Sequence, residues 1–300
     1  MPETSSEAAP VKHATSVRPS DEELDLFGIT HQGKVRKDNQ DHFLISTIHP
    51  QAVIHGTSLP NADGLPLRGT RLATLLVVAD GVGGAAAGSE AARLATESIT
   101  RYVSCSLRCY HSAGSANNDE FPVALAAAAL EAHGAVRAES ALREDHKRMA
   151  TTLTVGIAVW PWFHVVQVGD SRAYVYTNGQ LRQITRDQTV GQALVDQGIL
   201  KKDGLERSPY KNVLSSAIGA EEAKPVVSRV DVSDRGAVVL LCSDGLTRHV
   251  SNEEIARCVS EMRSSEQLAN ELLELALSRG GVDNITIVIG RAPLPKNAPT

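Results

Sequence analysis

Hydrophobic positions along the chain form two kinds of pattern, short apolar runs and longer stretches with helical spacing. The runs are rich in Val, Ile, Leu and Thr and are bounded by Gly, Asp, Asn or Pro, which is typical of β-strands. The stretches repeat apolar residues every three or four positions, which indicates amphipathic helices. We predict strands at 25–30, 42–47, 72–79, 152–160, 163–168, 172–176, 181–184, 237–242 and 285–289. We predict helices at 89–106, 122–142, 189–197, 252–260 and 265–279.

Two short turn sequences indicate how the strands pair. Trp160-Pro161-Trp162 and the segment 177–180, which contains Asn178-Gly179, each separate two predicted strands and therefore predict hairpins. Hairpins join antiparallel strands, whereas parallel strands need a longer crossover connection. The chain is therefore predicted to form one α+β domain of layered sheets and helices.

The ends of the chain and one internal segment lack these patterns. Residues 1–23 and 292–300 read as disordered tails, which leaves 24–291 as a single domain. Residues 48–71 separate two strong strands and are rich in Pro and Gly, and connections of this length are uncommon in compact domains. We interpret 48–71 either as a long irregular hairpin near a site or as a mobile surface insertion, and as the place where partner specificity resides.

Composition narrows the class of protein. The net charge is −5, 42% of residues are hydrophobic and 22% are charged, which is ordinary for a soluble globular protein. The mild acidity and the 4% of aromatic residues argue against a nucleic-acid partner. No apolar run approaches the roughly 18 residues of a membrane span, and the start of the chain does not resemble a secretory signal. We expect a cytoplasmic protein without membrane insertion, whose four cysteines are buried and reduced.

Aspartates recur at the ends of the predicted strands. Asp80, Asp170 and Asp244 each follow an apolar run and precede Gly or Ser, while Asp41 and Asp283 open strands. Because the end of one strand and the start of its antiparallel neighbour share a rim, all five carboxylates can gather at one edge. The alternative is that each Asp simply forms a turn.

A cluster of this kind needs cations. Two carboxylates about 4–5 Å apart repel by roughly 3–4 kcal/mol at an effective dielectric near 20. Carboxylates, a backbone carbonyl and water are ligands that suit Mg²⁺ or Mn²⁺, and Gly81 would allow its carbonyl to approach a metal held by Asp80. Arg36 lies five residues before Asp41, and a guanidinium can hold two phosphate oxygens, so the set is consistent with phosphoryl transfer.

In these residues and their order, the sequence resembles the bacterial metal-dependent protein phosphatases of the PPM family, the protein phosphatase 2C type. The resemblance covers about 26–289, and six short motifs occur in the family's order. They are Gly33…Arg36…Asn39-Gln40-Asp41, Asp80-Gly81-Val82-Gly83-Gly84, Thr151-Thr152-Leu153-Thr154, Gly169-Asp170-Ser171-Arg172, Ser243-Asp244-Gly245 and Asp283-Asn284.

The resemblance implies a fold and a set of roles. The fold would be a four-layer sandwich of two antiparallel β-sheets flanked by helices, with 189–219 as a flap region. Asp80 would bridge two Mn²⁺ or Mg²⁺ ions, with the Gly81 carbonyl on the second. Asp244 and Asp283 would complete the site of the first ion, and Asp41 would hold metal-bound water. Asp170 would help to bind a third ion more weakly, and Arg36 would bind the substrate phosphate.

The implied activity is a serine/threonine protein phosphatase. A hydroxide bridging the two metals would attack phosphoserine or phosphothreonine in line, and the partners would be phosphorylated proteins and a bacterial Ser/Thr kinase. The alternative is a catalytically silent phosphoprotein-binding module on the same fold. A nucleophilic hydrolase is disfavoured because Ser243 does not lie in a Gly-x-Ser-x-Gly elbow.

Three positions depart from the family pattern. Gln40 stands where many members have Glu, Val82 stands where eukaryotic members have a histidine proposed as general acid, and Asp187-Gln188 replaces Asp-His. None of these positions is a direct metal ligand by the resemblance, so we expect activity.

Overall fold

The computed structural model describes residues 17–51, 53–54, 58, 67–112, 120–142 and 149–293. The strands are β1 Asp25–His31, β2 His42–Ile48, β3 Ala73–Ala79, β4 Gly81–Val82, β5 Ala150–Thr151, β6 Leu153–Val159, β7 Trp162–Val168, β8 Arg172–Thr177, β9 Gln180–Gln183, β10 Val226–Asp231, β11 Val238–Cys242 and β12 Ile285–Arg291. The helices are α1 Ala85–Ser112, α2 Glu120–Leu142, α3 Val190–Asp196, α4 Lys202–Leu205, α5 Asp244–Thr247, α6 Asn252–Ser260 and α7 Ser265–Ser278.

Two five-stranded antiparallel sheets form the centre of the molecule. The first sheet has the order β1-β12-β11-β8-β9 and the second has the order β10-β7-β6-β3-β2. Their facing sides share a core that includes Leu76, Val78, Phe163, Leu241 and Val288. Both faces of β3 are covered, and all seven of its residues are buried, which explains its unbroken apolar sequence. The predicted sandwich of antiparallel sheets is confirmed.

Helices cover the outer faces of both sheets. Alanines and leucines of α1 and α2 pack on the second sheet, whereas α6 and α7 pack on the first. In α7, Leu268, Leu272 and Ala276 lie on one buried face at the helical spacing seen in the sequence. Helices thus flank the sandwich on both sides.

Both predicted hairpins are present. β6 and β7 pair through the turn at Pro161, and β8 and β9 pair through Asn178-Gly179. Asn178 and Gly179 have φ values of 51° and 75°, and a type I′ hairpin turn requires positive φ at both positions.

Some elements were not predicted from the sequence. β10 is an edge strand in which every residue is exposed or half-buried, so its sequence VVSRVD lacks an extended apolar run. α4 and α5 are single turns of four residues, too short to show helical periodicity. Cys242 and Cys258 are buried as predicted, but Cys105 is exposed, so that prediction is wrong for this position.

Residues 17–23 are packed against the domain, although we predicted a disordered tail over 1–23. The carboxylate of Asp21 pairs with the buried Arg71, and Glu23 pairs with Arg235 at 2.9 Å. The backbone carbonyl of Pro19 accepts a second bond from Arg71. Residues 1–16 and 294–300 of the predicted tails lie outside the described residues.

The base of segment 48–71 is a short antiparallel stem. The Gly69 N–H donates to the Pro50 carbonyl at 2.8 Å, and the Leu72 N–H donates to the Ile48 carbonyl at 2.7 Å. This stem continues β2 and β3 at the end opposite Asp41 and Asp80, a separation of about 20 Å over a seven-residue strand. The base of the segment therefore lies away from the aspartates, while most of 52–66 lies outside the described residues, so the two interpretations of 48–71 stay predictions.

Within the part of the chain that the structure describes, no helix is both long enough and apolar enough to cross a membrane.

Candidate active site

The five strand-end aspartates meet at one end of the sandwich. Asp41 and Asp80 flank the paired ends of β2 and β3, because His42 pairs with Ala79 in the second sheet. Asp170 follows β7 of the same sheet. Asp244 and Asp283 come from the first sheet, where the Ser243 N–H donates to the Thr286 carbonyl at 3.0 Å. The two sheets therefore contribute carboxylates to a common rim, as the sequence pattern predicts.

A cavity of about 490 Å³ lies between these elements. Six of the seven predicted site residues line it, and they are Arg36, Asp80, Gly81, Asp170, Asp244 and Asp283. The seventh, Asp41, is only 3% exposed and is not among the lining residues.

Asp41 is a buried carboxylate with one unsatisfied oxygen. Its Oδ2 accepts hydrogen bonds from the hydroxyls of Ser243 and Thr286, both at 2.7 Å. Its Oδ1 has no hydrogen-bond partner among the described residues. Burial, with a smaller contribution from the charges of Asp244 and Asp283, raises the pKa of Asp41 to about 7, although the hydrogen bonds from the two hydroxyls oppose the shift.

The backbone around Asp80 is held in place by the neighbouring threonines. The Asp80 N–H donates to the Thr152 hydroxyl at 3.0 Å, and the Asp80 carbonyl accepts from the Thr151 hydroxyl at 2.9 Å. At Gly81 a Cβ atom would lie 2.3 Å from the Gly88 carbonyl oxygen at the start of α1. The glycine is therefore required by the close approach of α1, a constraint that sequence reasoning did not identify.

Burial and mutual repulsion disfavour the charged forms of the other carboxylates. The pKa of Asp80 lies well above its usual value because of burial, followed by the charges of Asp41 and Asp244. Burial and the charge of Asp244 raise the pKa of Asp170 to about 8. The pKa of Asp244 is also raised by burial, although the Arg248 guanidinium opposes the shift. The cluster has the electrostatic cost that the sequence predicted.

Two guanidinium groups partly offset this charge. Arg36 bonds both oxygens of Asp283, each at 2.7 Å. Arg248 bonds Asp244 through Nε at 2.9 Å and through Nη2, and bonds Asp283 through Nη1 at 2.9 Å. Sequence reasoning missed Arg248, although its position one helical turn after Asp244 is a signal that could have found it.

The donor chemistry of the site fits hard divalent cations. The available ligands are carboxylate oxygens and the Gly81 carbonyl, and the unpartnered Asp41 Oδ1 faces no other donor among the described residues. Among the described residues, no group of three or more His, Cys, Asp or Glu side chains is arranged as a metal site. Asp283 is paired with Arg36, and Arg248 is paired with both Asp244 and Asp283. These guanidinium groups therefore contact the carboxylate oxygens that a metal ion would bind.

Comparison with known families identifies the fold. The family model described as Protein phosphatase 2C matches residues 55–278, which is more than half of the chain. The chain belongs to the protein phosphatase 2C family. The matched range contains Asp80, Asp170 and Asp244, whereas Arg36, Asp41 and Asp283 lie outside it and join the site through the fold.

Curated relatives of this family member are named serine/threonine phosphatases. Over 217 residues it is 33% identical to the serine/threonine protein phosphatase PstP of Mycobacterium tuberculosis, which covers 72% of this chain and 40% of PstP. The chain thus spans less than half the length of that relative. It is 29% identical over 260 residues to the serine/threonine phosphatase Stp of Listeria monocytogenes, covering 87% of this chain and 92% of Stp.

Solved structures share the fold over most of their length. The crystal structure of M. tuberculosis PstP/Ppp matches with a TM-score of 0.71 at 28% identity, covering 90% of this chain and 99% of that one. The catalytic domain of PstP in complex with two manganese ions matches with a TM-score of 0.68, at the same identity and coverage. Family membership and this match support metal-dependent catalysis.

Proposed function

We propose that this protein is a metal-dependent serine/threonine protein phosphatase that hydrolyses phosphoserine and phosphothreonine on proteins. The observation that carries the proposal is the convergence of four aspartates from two sheets, with Arg36, at one cavity, together with the buried Asp41, which accepts bonds from Ser243 and Thr286. Membership of the protein phosphatase 2C family and the names of the relatives support it. The cytoplasmic location and the single domain over 24–291 remain predictions.

Each site residue has a proposed role. Asp80, Asp244 and Asp283 would hold two Mn²⁺ or Mg²⁺ ions together with the Gly81 carbonyl, and Asp170 with Asp244 would hold a third. Bound ions would activate water for attack and offset the negative charge of the phosphoryl group. Asp41 would orient water through its unpartnered Oδ1, because Ser243 and Thr286 fix the other oxygen.

Arg36 is the proposed phosphate ligand. It is half-exposed at the cavity, and it already holds both oxygens of Asp283 in the forked geometry with which a guanidinium binds a phosphate. Val82 supplies no proton, so the group that protonates the leaving alkoxide must be another acid. The proposed substrates are products of a Ser/Thr kinase, because phosphate monoesters on Ser and Thr are made by phosphoryl transfer.

The experiment that tests the function is phosphate release from a phosphothreonine peptide. We would measure it with Mn²⁺, with Mg²⁺ and with EDTA, using purified wild type and the Asp80→Asn and Asp244→Asn variants. We expect release that requires Mn²⁺ or Mg²⁺ and is lost in both variants, whose circular dichroism spectra remain those of the wild type. The amide keeps the shape of the carboxylate but removes its charge, so metal binding fails while the fold persists.

Two outcomes would contradict the proposal. Turnover by either variant at near the wild-type rate would show that the metal ligands are assigned wrongly. Binding of the peptide without release in any metal would favour a phosphoprotein-binding module.

A further inference from the structure

Four exposed valines surround the charged cavity. Val35, Val82, Val213 and Val282 have exposed fractions of 66%, 42%, 46% and 42%. Val82 itself lines the cavity, and Val35, Val213 and Val282 are adjacent in the chain to the lining residues Arg36, Leu214 and Asp283. We refer to these four residues as the valine collar.

The collar has two sides. On one side, the Lys34 N–H donates to the Gly281 carbonyl at 2.7 Å, which places the loop carrying Val35 beside the loop carrying Val282. On the other side, Val82 pairs with Ala150 in the β4–β5 ladder, and the neighbouring Thr151 pairs with Ile218. Val213 lies in the segment that leads into this bridge, between the cavity residues Asn212 and Leu214.

An apolar rim of this kind has no role in the core of the domain. The three core clusters are built from other, buried residues, and none of the four valines belongs to them. A single exposed apolar side chain is common on a protein surface, but four of them beside one polar cavity indicate an interaction surface. A phosphorylated side chain that enters the cavity must carry the residues on either side of it across this rim.

The neighbouring groove offers little net attraction for charged flanking residues. A larger cavity of about 910 Å³ adjoins the site and shares Asp170, Asp244 and Arg248 with it. Its lining carries five basic and six acidic side chains, and some of these are paired with each other, as Arg172 is with Asp187 and Lys211 with Glu206. Contacts next to the phosphorylated residue therefore fall to the collar.

We propose that the valine collar binds apolar side chains that flank the phosphorylated residue of the substrate. The inference rests on the proposed phosphatase function and names the substrate class, which is a phosphoprotein segment with aliphatic residues on either side of the phosphate. We assign these flanking residues to the collar because it borders the cavity in which the phosphate would be bound.

The test compares two phosphothreonine peptides that differ only at the flanking positions, Leu and Val in one and Ser in the other. We expect the wild type to show a higher kcat/KM for the apolar peptide. Val35→Ser and Val213→Ser, one from each side of the collar, should each lower that kcat/KM about fivefold through KM, as expected when about 40 Å² of apolar contact is lost. Hydrolysis of the Ser-flanked peptide and of p-nitrophenyl phosphate should not change.

Val123→Ser is the matched control, because Val123 is 70% exposed on α2 and lies outside the cavity lining. Equal wild-type rates on the two peptides, or equal effects of Val35→Ser and Val123→Ser, would overturn the inference. A wild-type dimer by light scattering that dissociates in Val35→Ser would also overturn it, because a second copy would then cover the collar.

The proposed function and the collar can fail separately. Loss of metal-dependent hydrolysis on every substrate would contradict the function. Fluorescence anisotropy of the two labelled peptides reports the collar without turnover, and tighter binding of the apolar peptide, weakened by Val35→Ser, would support the inference in that case. Equal binding of both peptides would overturn it.

Discussion

Arg248 is the single residue that most changes the charge balance inferred from the aspartates. Its guanidinium bonds Asp244 and Asp283 at once, and its side chain is 28% exposed. These carboxylates are the proposed ligands of the first metal ion, so Arg248 and a divalent cation would compete for the same oxygens. Arg248 would then stabilise the metal-free protein and weaken metal binding.

We predict that Arg248→Gln binds Mn²⁺ about tenfold more tightly than the wild type, because the repulsion between the guanidinium and the metal ion is removed. The free-energy change this represents is a fraction of the roughly 4 kcal/mol between unit charges 4 Å apart at an effective dielectric of 20. Isothermal titration calorimetry measures the affinity, and the melting temperature of the EDTA-treated variant should be below that of the wild type. Arg93→Gln is the control, since Arg93 also bonds two carboxylates, Glu90 and Glu97, but on α1. Unchanged or weaker Mn²⁺ binding in Arg248→Gln would contradict the competition.

At the scale of elements, the junction of β3, β4 and α1 fixes the position of Asp80. Gly81 lies against Gly88, while Gly84 in the same loop has no atom within 4 Å of a Cβ built on it. The sequence indicated a glycine-rich turn after a strand but could not distinguish these two glycines. Their difference depends on how closely α1 approaches the loop, which is a tertiary contact.

The two glycines make a matched pair of substitutions. Gly81→Ala should lower the melting temperature, because overpacking of this kind typically costs about 1–3 kcal/mol. It should also reduce phosphate release by at least about tenfold, since a 1 Å displacement near the reacting groups can cost about a hundredfold. Gly84→Ala should retain both properties. Calorimetry and the phosphate assay check this, and equal behaviour of the two variants would exclude a steric role for Gly81.

The sequence predicted the long apolar strands and periodic helices well, because a helix or strand that buries one face has apolar residues at regular intervals. The strands at 42–47 and 163–168 agree with β2 and β7 to within a residue at each end. β10 escaped prediction because an edge strand is solvated on one side. Asp41 and Asp283 were found because they open apolar strands, and Arg36 because it lies five residues before Asp41. Arg248 required knowledge of side-chain contacts across α5 and the loop before β12.

At the scale of the whole molecule, one buried histidine between the sheet and a helix makes the stability of the fold depend on pH. His164 of β7 packs edge-on against Phe121 of α2, with ring centroids 4.7 Å apart. Burial, followed by the charge of Arg229, lowers the pKa of His164 from 6.5 to about 4. Between these two pH values the unfolded chain binds the additional proton, so the free energy of unfolding decreases as the pH falls.

We predict that His164→Phe loses less stability than the wild type between pH 7 and pH 5. The histidine contributes a loss on the order of 1–2 kcal/mol over this interval, which the variant lacks. Urea denaturation at the two pH values measures the difference, and comparison within each protein removes the constant effect of the substitution. Parallel pH profiles for wild type and variant would show that His164 is not the responsible group.

The stem of 48–71 lies at the opposite end of β2 and β3 from the aspartate rim. A partner held by that segment would occupy one pole of the molecule and leave the catalytic pole open. Such a partner would act as a tether that raises the effective concentration of its own phosphorylated residues, without competing for the cavity. Binding of the partner protein and binding of its phosphorylated residue would then be two separate events on one domain.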